Sequence, residues 1–262
     1  MPNASPKIIA IANQKGGVGK TTTAINLGTG LATAGRAVLI IDLDAQGNAS
    51  TGLGIGADRR ENTTYDLLVG DCTVDEVAQK TDVPNLFIAP STTDLSSVDV
   101  DLVSDPNRLV RLKQSLTGAN KYDYVLIDCP PSLNLLTINA MAAAHSVLVP
   151  LQCEFFALEG LSQLMRSIRE VKTSLNSGLQ IEGIVLTMYD KRNNLSGQVE
   201  ADVRENLGDL VYDTIIPRNI RLSEAPSHAI PALLYDHKSA GAIAYQDLTV
   251  ELLSRNNSPV AA

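Results

Sequence analysis

The sequence predicts an α/β protein with a doubly wound, mostly parallel sheet and helices on both faces. Ile8-Ile9-Ala10-Ile11-Ala12, Ala37-Val38-Leu39-Ile40-Ile41 and Tyr124-Val125-Leu126-Ile127 are continuous apolar runs, the pattern of parallel strands covered on both sides. The first run leads through a glycine-rich turn into a segment with helical spacing, and the other two end on aspartates. No Pro/Gly/Ser-rich linker interrupts the 262 residues, and with 44% of them hydrophobic the chain can bury one large core. A single domain over 1–262 is expected, with 1–6 and 255–262 as loose tails.

The turn after the first strand reads Asn13-Gln14-Lys15-Gly16-Gly17-Val18-Gly19-Lys20-Thr21-Thr22. Such a turn lets consecutive backbone N–H groups converge on anionic oxygens, and the helix that follows adds its partial positive charge. Gly16, Gly17, Val18, Gly19 and Thr22 are therefore expected to cradle phosphates. Lys20 would reach the β- and γ-phosphates, with the Thr21 hydroxyl on Mg²⁺. The usual G-x-x-x-x-G-K-[ST] spacing would need glycine at Gln14, and a second lysine, Lys15, precedes the glycines instead. A nicotinamide site fits poorly, since Thr22 stands where G-x-G-x-x-G needs its third glycine.

Lys20 to about Thr33 places Ala24, Leu27 and Leu31 at helical spacing and reads as the first crossover helix, with Gly35 as its stop. The second strand ends in Asp42-Leu43-Asp44, which a parallel sheet would deliver to the edge that carries the phosphate turn. Residues 85–90 read as a further strand, and the acidic stretch from Asp94 to Asp105 as a solvated surface segment. The strand over 122–127 ends on Asp128, placed to hold Mg²⁺ through water. A helix from about Leu133 to Ala144, a strand over 146–151, a helix over 158–175 and a strand over 181–188 follow. The chain closes with a helix from Ala240 to Leu253. Arg166, Arg169 and Lys172 fall on one helical face and read as solvated. Thr187-Met188-Tyr189-Asp190 occupies the place of the guanine-reading [NT]-K-x-D, but Met188 replaces its lysine, which favours ATP.

Three features carry a family resemblance. Lys15-Gly16-Gly17-Val18-Gly19-Lys20-Thr21-Thr22 resembles the deviant Walker A loop of the ParA/MinD ATPases. Asp44-Ala45-Gln46-Gly47-Asn48 resembles that family's D-P-Q-G-N, with Ala45 in place of proline. Residues 189–195 and 216–227, the latter containing Ile216-Pro217-Arg218-Asn219, are similar to the ParA/Soj partition branch.

The resemblance implies an ATP- and Mg²⁺-dependent homodimer in which Lys15 crosses to the other subunit's nucleotide. It implies that Asp42 contacts the Mg²⁺ shell and that Asp44 positions the attacking water. Pro217 and Asn219 would lie against adenine, and Arg192, Arg218, Arg221 and Lys238 would bind double-stranded DNA without reading sequence. A ParB-type protein would stimulate hydrolysis and release the dimer from the nucleoid. Relatives often have Gly-Lys at Ala229-Ile230, and the absence of that lysine weakens or shifts the DNA patch.

Composition limits the rivals. The formal net charge of −8 argues against nucleic acid as a partner and is shared evenly between 1–150 and 151–262, so folding must assemble any basic surface. Cys72, Cys129 and Cys153 form no C-x-x-C, which suits a reducing cytoplasm and disfavours an iron–sulfur carrier. No apolar run approaches the roughly 18 residues of a membrane span. The closing helix is acidic, unlike the basic amphipathic tail of a MinD-like membrane ATPase. Positioning of a cargo other than a chromosome remains an open alternative.

Overall fold

A computed structural model describes residues 5–257. Eight strands form one sheet: β1 (Lys7–Ile11), β2 (Val38–Asp42), β3 (Gln79–Lys80), β4 (Leu86–Ala89), β5 (Tyr124–Asp128), β6 (Ser146–Gln152), β7 (Gln180–Tyr189) and β8 (Val211–Pro217). Their spatial order is β3-β4-β2-β5-β1-β6-β7-β8. Every pairing is parallel except that of the two-residue β3 with β4. The doubly wound, mostly parallel sheet read from the sequence is the one observed.

Side chains alternate between two cores, as the two-residue strand period requires. Ile9, Ile11, Val38, Ile40 and Leu126 face a core shared with α1 (Lys20–Thr33). Ala10, Leu39, Ile41, Val125 and Ile127 face the other. There they meet α2 (Leu135–Ala143), α3 (Ala157–Ser174) and α4 (Asn194–Leu207). The final helix, α5 (Ala240–Asn257), packs on α1 and β8. Its fully buried Tyr245 shares a 3.0 Å hydrogen bond with Thr23, and Leu248 fills the space below.

The expected bounds of α1 match those observed, and Gly35 turns the chain with φ +83°. Three differences stand out. Helix α2 begins at Leu135 rather than about Leu133, because the Asn134 side chain accepts from the Thr137 N–H and caps it. Strand β8 and helix α4 were not assigned from the sequence.

The third difference is at the end of the chain. Helix α5 continues to Asn257, past the expected Leu253, and Arg255, assigned to a loose tail, is held firmly. Its guanidinium donates to the Val211 and Asp209 carbonyls at 2.9 Å, pairs with Glu251 at 2.7 Å and lies 4.1 Å above the Tyr212 ring. Glu251 accepts from the N–H groups of Asp213 and Thr214, both at 2.9 Å. Arg204 of α4 donates to the Tyr212 carbonyl at 3.2 Å. At the other end Pro6 is buried, so part of the expected N-terminal tail is packed, while 1–4 and 258–262 lie outside the described residues.

Replacing Leu248 by alanine removes a side chain with no solvent exposure from between α1 and α5. Urea unfolding should register a loss of about 2–5 kcal/mol.

Candidate functional site

The site forms where the winding of the sheet reverses. Strand β1 lies between β5 and β6, and β2 lies on the far side of β5. Register sets Ile11 beside Asp128 and Asp128 beside Asp42, so the carboxyl ends of three strands open on one crevice. The loop from Asn13 to Gly19 emerges there. Asn13 is buried and fixes the entry, donating to the Pro150 carbonyl at 2.7 Å and accepting from the Lys15 N–H at 3.0 Å. Thr187 at the end of β7 donates to the Val18 carbonyl at 2.9 Å and holds the far side. Gly19 has φ +90°, a left-handed conformation open to glycine, and no side chain caps the first turn of α1. A cavity of about 330 Å³ opens there, lined by Gly16, Gly17, Lys20, Thr21 and Asp44.

The two lysines have different surroundings. Lys20 is 6% exposed and donates from Nζ to the Lys15 carbonyl at 2.9 Å. Burial lowers its pKa, opposed by the charge of Asp128 and, more weakly, Asp44. The side chain of Lys15 is half-exposed and forms an ion pair with Glu154.

The three aspartates divide the remaining work. Asp42 is fully buried, and its Oδ2 accepts from both the N–H (2.8 Å) and the hydroxyl (2.6 Å) of Ser50. Burial raises its pKa while the Ser50 bonds oppose the rise. Asp42 thus anchors the segment that carries Asp44, besides any contact with a metal shell. The hydroxyl of Ser50 accepts from the Ser91 N–H at 3.1 Å, and the Ser91 hydroxyl donates to the Asp44 carbonyl. Asp44 is partly exposed and its carboxylate bonds only locally, accepting from the Gln46 N–H at 3.0 Å.

Arg60 closes this network. It donates to the Ser91 carbonyl (2.9 Å), the Thr51 hydroxyl (2.8 Å) and the Ile55 carbonyl (3.0 Å). Gly47 turns with φ +61° directly over it, and a Cβ there would fall 2.2 Å from the guanidinium.

Asp128 differs from both. It is fully buried, and neither carboxylate oxygen has a hydrogen-bond partner. Burial pushes its pKa well above the usual carboxylate range, Asp42 adds to the rise, and Thr21 and Lys20 oppose it. A buried acceptor facing a hydroxyl and a lysine is suited to a hydrated cation. No group of three or more His, Cys, Asp or Glu among the described residues could cage a metal alone. A cation here would draw its other ligands from water and a bound anion, the habit of Mg²⁺.

Pro217 and Asn219 line a second cavity of about 300 Å³ with Met188, and it shares Gly19 and Thr22 with the first. The Asn219 side chain accepts from the Arg221 N–H at 2.9 Å and starts the short helix Ile220–Glu224. Met188 has φ +51°, which turns the chain sharply at the cavity wall.

The four basic residues fall into two pairs. Arg192 and Arg218 border one open cleft, where Asp190 holds the Arg192 guanidinium by two bonds of 3.0 and 2.8 Å. Arg192 in turn lowers the Asp190 pKa to about 2. Arg221 binds Glu224 at 2.7 Å and Asp236 at 3.3 Å, and Lys238 lies just beyond Asp236. Each pair therefore sits beside carboxylates. Glu154, Ser50, Ser91 and Arg60 were not singled out from the sequence. Ser50 lies two residues beyond the Asp44-to-Asn48 motif, and Arg60, Ser91 and Glu154 meet the site only through the fold.

Arg60→Lys retains the charge but loses the planar fork. Denaturant unfolding should show a loss of about 1–3 kcal/mol. Amide exchange should speed most at 46–51, the turn that Arg60 supports.

A family model described as an AAA domain matches residues 6–181. Chromosome partitioning protein ParA of Caulobacter vibrioides (strain NA1000 / CB15N) is 59% identical over 257 residues, covering 97% of this chain and 96% of that protein. Sporulation initiation inhibitor protein Soj of Bacillus subtilis (strain 168) is 53% identical over 247 residues, covering 94% of this chain and 98% of that protein. A crystal structure of cobyrinic acid a,c-diamide synthase from Mycobacterium smegmatis, with bound ATP analog and magnesium, superposes with a TM-score of 0.85. It is 37% identical and covers 97% of this chain and 96% of that one. With more than half of the residues identical across nearly the full length of both relatives, this chain belongs to the ParA/Soj family of chromosome-partitioning ATPases.

Proposed function

We propose that this protein is a nucleotide-controlled DNA-binding ATPase that binds ATP with Mg²⁺, closes into a homodimer and thereby holds DNA for partitioning. The observation that carries the reading is Asp128: a buried carboxylate without partners beside Lys20 and Thr21, under an uncapped helix N-terminus. Those groups would take a triphosphate and its metal together. The base would enter the cavity lined by Pro217, Asn219 and Met188.

In this mechanism the backbone from Gly16 to Thr22 orients the phosphate chain, and Lys20 neutralises the β- and γ-oxygens. Thr21 and Asp128, with Asp42 behind them, would hold the metal, whose chemistry is to offset charge on the phosphate oxygens. Asp44 would orient a water for in-line attack on the γ-phosphorus. The bond from that phosphorus to the β,γ-bridging oxygen breaks, giving ADP and inorganic phosphate, and the water's proton leaves toward solvent. Lys15 would leave Glu154 and reach the second subunit's nucleotide. Loss of the γ-phosphate would remove its target and open the dimer.

DNA would be held through phosphates by Arg192, Arg218, Arg221 and Lys238, duplicated in the dimer. With about six phosphates contacted, the logarithm of affinity falls with that of salt at a slope near −5, so half the contacts give far weaker binding. A ParB-type protein would stimulate hydrolysis, and the active pool would lie on the nucleoid in the cytoplasm. No helix among the described residues is long and apolar enough to cross a membrane.

The deciding experiment is retention of nonspecific duplex DNA with ATP, ADP or no nucleotide, across a salt titration. Retention should require ATP, and Arg192→Glu should abolish it while ATP-dependent dimerisation persists. Equal retention in all three states refutes the reading. Asp128→Asn tests the metal site separately. Replacing a buried carboxyl group that lacks a hydrogen-bond partner should leave the nucleotide-free protein folded, with an unchanged or higher melting temperature in a thermal scan. The further stabilisation by Mg²⁺ and ATP should be lost.

A further inference from the structure

Phe155 and Phe156 are two of only three phenylalanines in the chain, yet they are 75% and 64% exposed. Their rings meet edge to face, with centroids 5.1 Å apart at 87°. They sit in the turn between β6 and α3, whose backbone is fixed on both sides. Ala157 N–H donates to the Glu154 carbonyl at 3.0 Å, and Gly160 N–H to the Phe156 carbonyl at 3.2 Å. Glu154, the residue before the pair, holds Lys15 of the phosphate loop. The most exposed aromatic surface of the protein and the lysine expected to leave its own subunit thus share one face.

We propose that Phe155 and Phe156 form the apolar centre of the contact between two copies of this chain. The inference rests on the reading above that Lys15 crosses to a second copy. If it does, the face that carries Lys15 meets its own twofold image, and residues one and two positions beyond Glu154 are carried into that contact. Each aromatic ring can bury about 150–250 Å². At the observed exposures four rings would supply on the order of 500 Å², about a third of a standard interface. Glu154 and Glu159 border the pair, which makes the patch a poor surface for DNA phosphates. The ion pair between Lys15 and Glu154 keeps the lysine folded back in the single subunit, so the aromatic contact would help to offset its opening.

The test is sedimentation velocity of the full chain and of the double variant Phe155→Ser/Phe156→Ser, with Mg²⁺ and a non-hydrolysable ATP analogue. The wild type should dimerise. The variant's dimer dissociation constant should rise by about thirtyfold or more, as for paired aromatic hot spots. Equilibrium dialysis at concentrations where both proteins are monomeric should give the same nucleotide affinity, and far-UV circular dichroism should show the fold intact. Phe155→Leu/Phe156→Leu, which keeps apolar area, should recover part of the loss. Unchanged dimerisation of the serine variant overturns the proposal, including the case in which only its response to a DNA-bound activator protein is lost. A wild type that remains monomeric with the analogue overturns the Lys15 reading itself, and the proposal with it.

Discussion

Three carboxyl groups and a buried lysine share one crevice at the end of a parallel sheet, and most of the site's architecture follows from managing their charge. Asp42 and Asp128 are both fully buried on adjacent strands at the same level. In so low a dielectric, two negative charges are tolerated only when each is hydrogen-bonded or balanced by a cation. Asp42 is satisfied internally by Ser50. Asp128 is not, and Lys20 is too committed to the Lys15 carbonyl to satisfy it alone. A ligand that brought positive charge to Asp128 and negative charge to Lys20 would therefore stabilise the folded chain.

The same accounting explains why Asp44 can remain partly exposed and still be placed accurately. Its carboxylate makes only a local bond, while its main chain is tied through Ser91 and Ser50 to Asp42 and supported beneath by Arg60. Arg60 carries positive charge into the same region, and Asp42 stabilises that charge against burial. The segment is held through its main chain, so the Asp44 carboxylate keeps its freedom to meet water.

Much of this was legible in the sequence because the relevant physics is local. Apolar runs 8–12 and 37–41 have no polar interruption, the glycines stand at the start of a helix, and aspartates close the strands. The bounds of α1 could be read from spacing and Gly35 alone. What escaped notice depends on distant contacts. Strand β8 contains Asp213 and Thr214, which look unlike a buried strand until Glu251 is seen to accept from both. Arg255 resembles a solvated tail residue until Tyr212 and the Val211 carbonyl are brought beneath it. Ser91 and Arg60 come from separate stretches and carry no motif of their own. The basic residues also read differently once folded. Arg192 and Arg221 already hold carboxylates, so DNA phosphates would replace existing partners rather than satisfy bare charges.

The side-chain bonds along β8 have a consequence for solubility. An outermost strand usually offers a ladder of free peptide groups to any passing chain, the starting point for cross-β aggregation. Here Glu251, Arg204 and Arg255 already engage peptide groups of Val211 to Thr214, and the opposite margin tapers to a two-residue antiparallel stub, Gln79–Lys80. Neither rim invites runaway polymerisation. Edge-to-edge pairing at either margin would have to displace existing side-chain bonds or start from two residues.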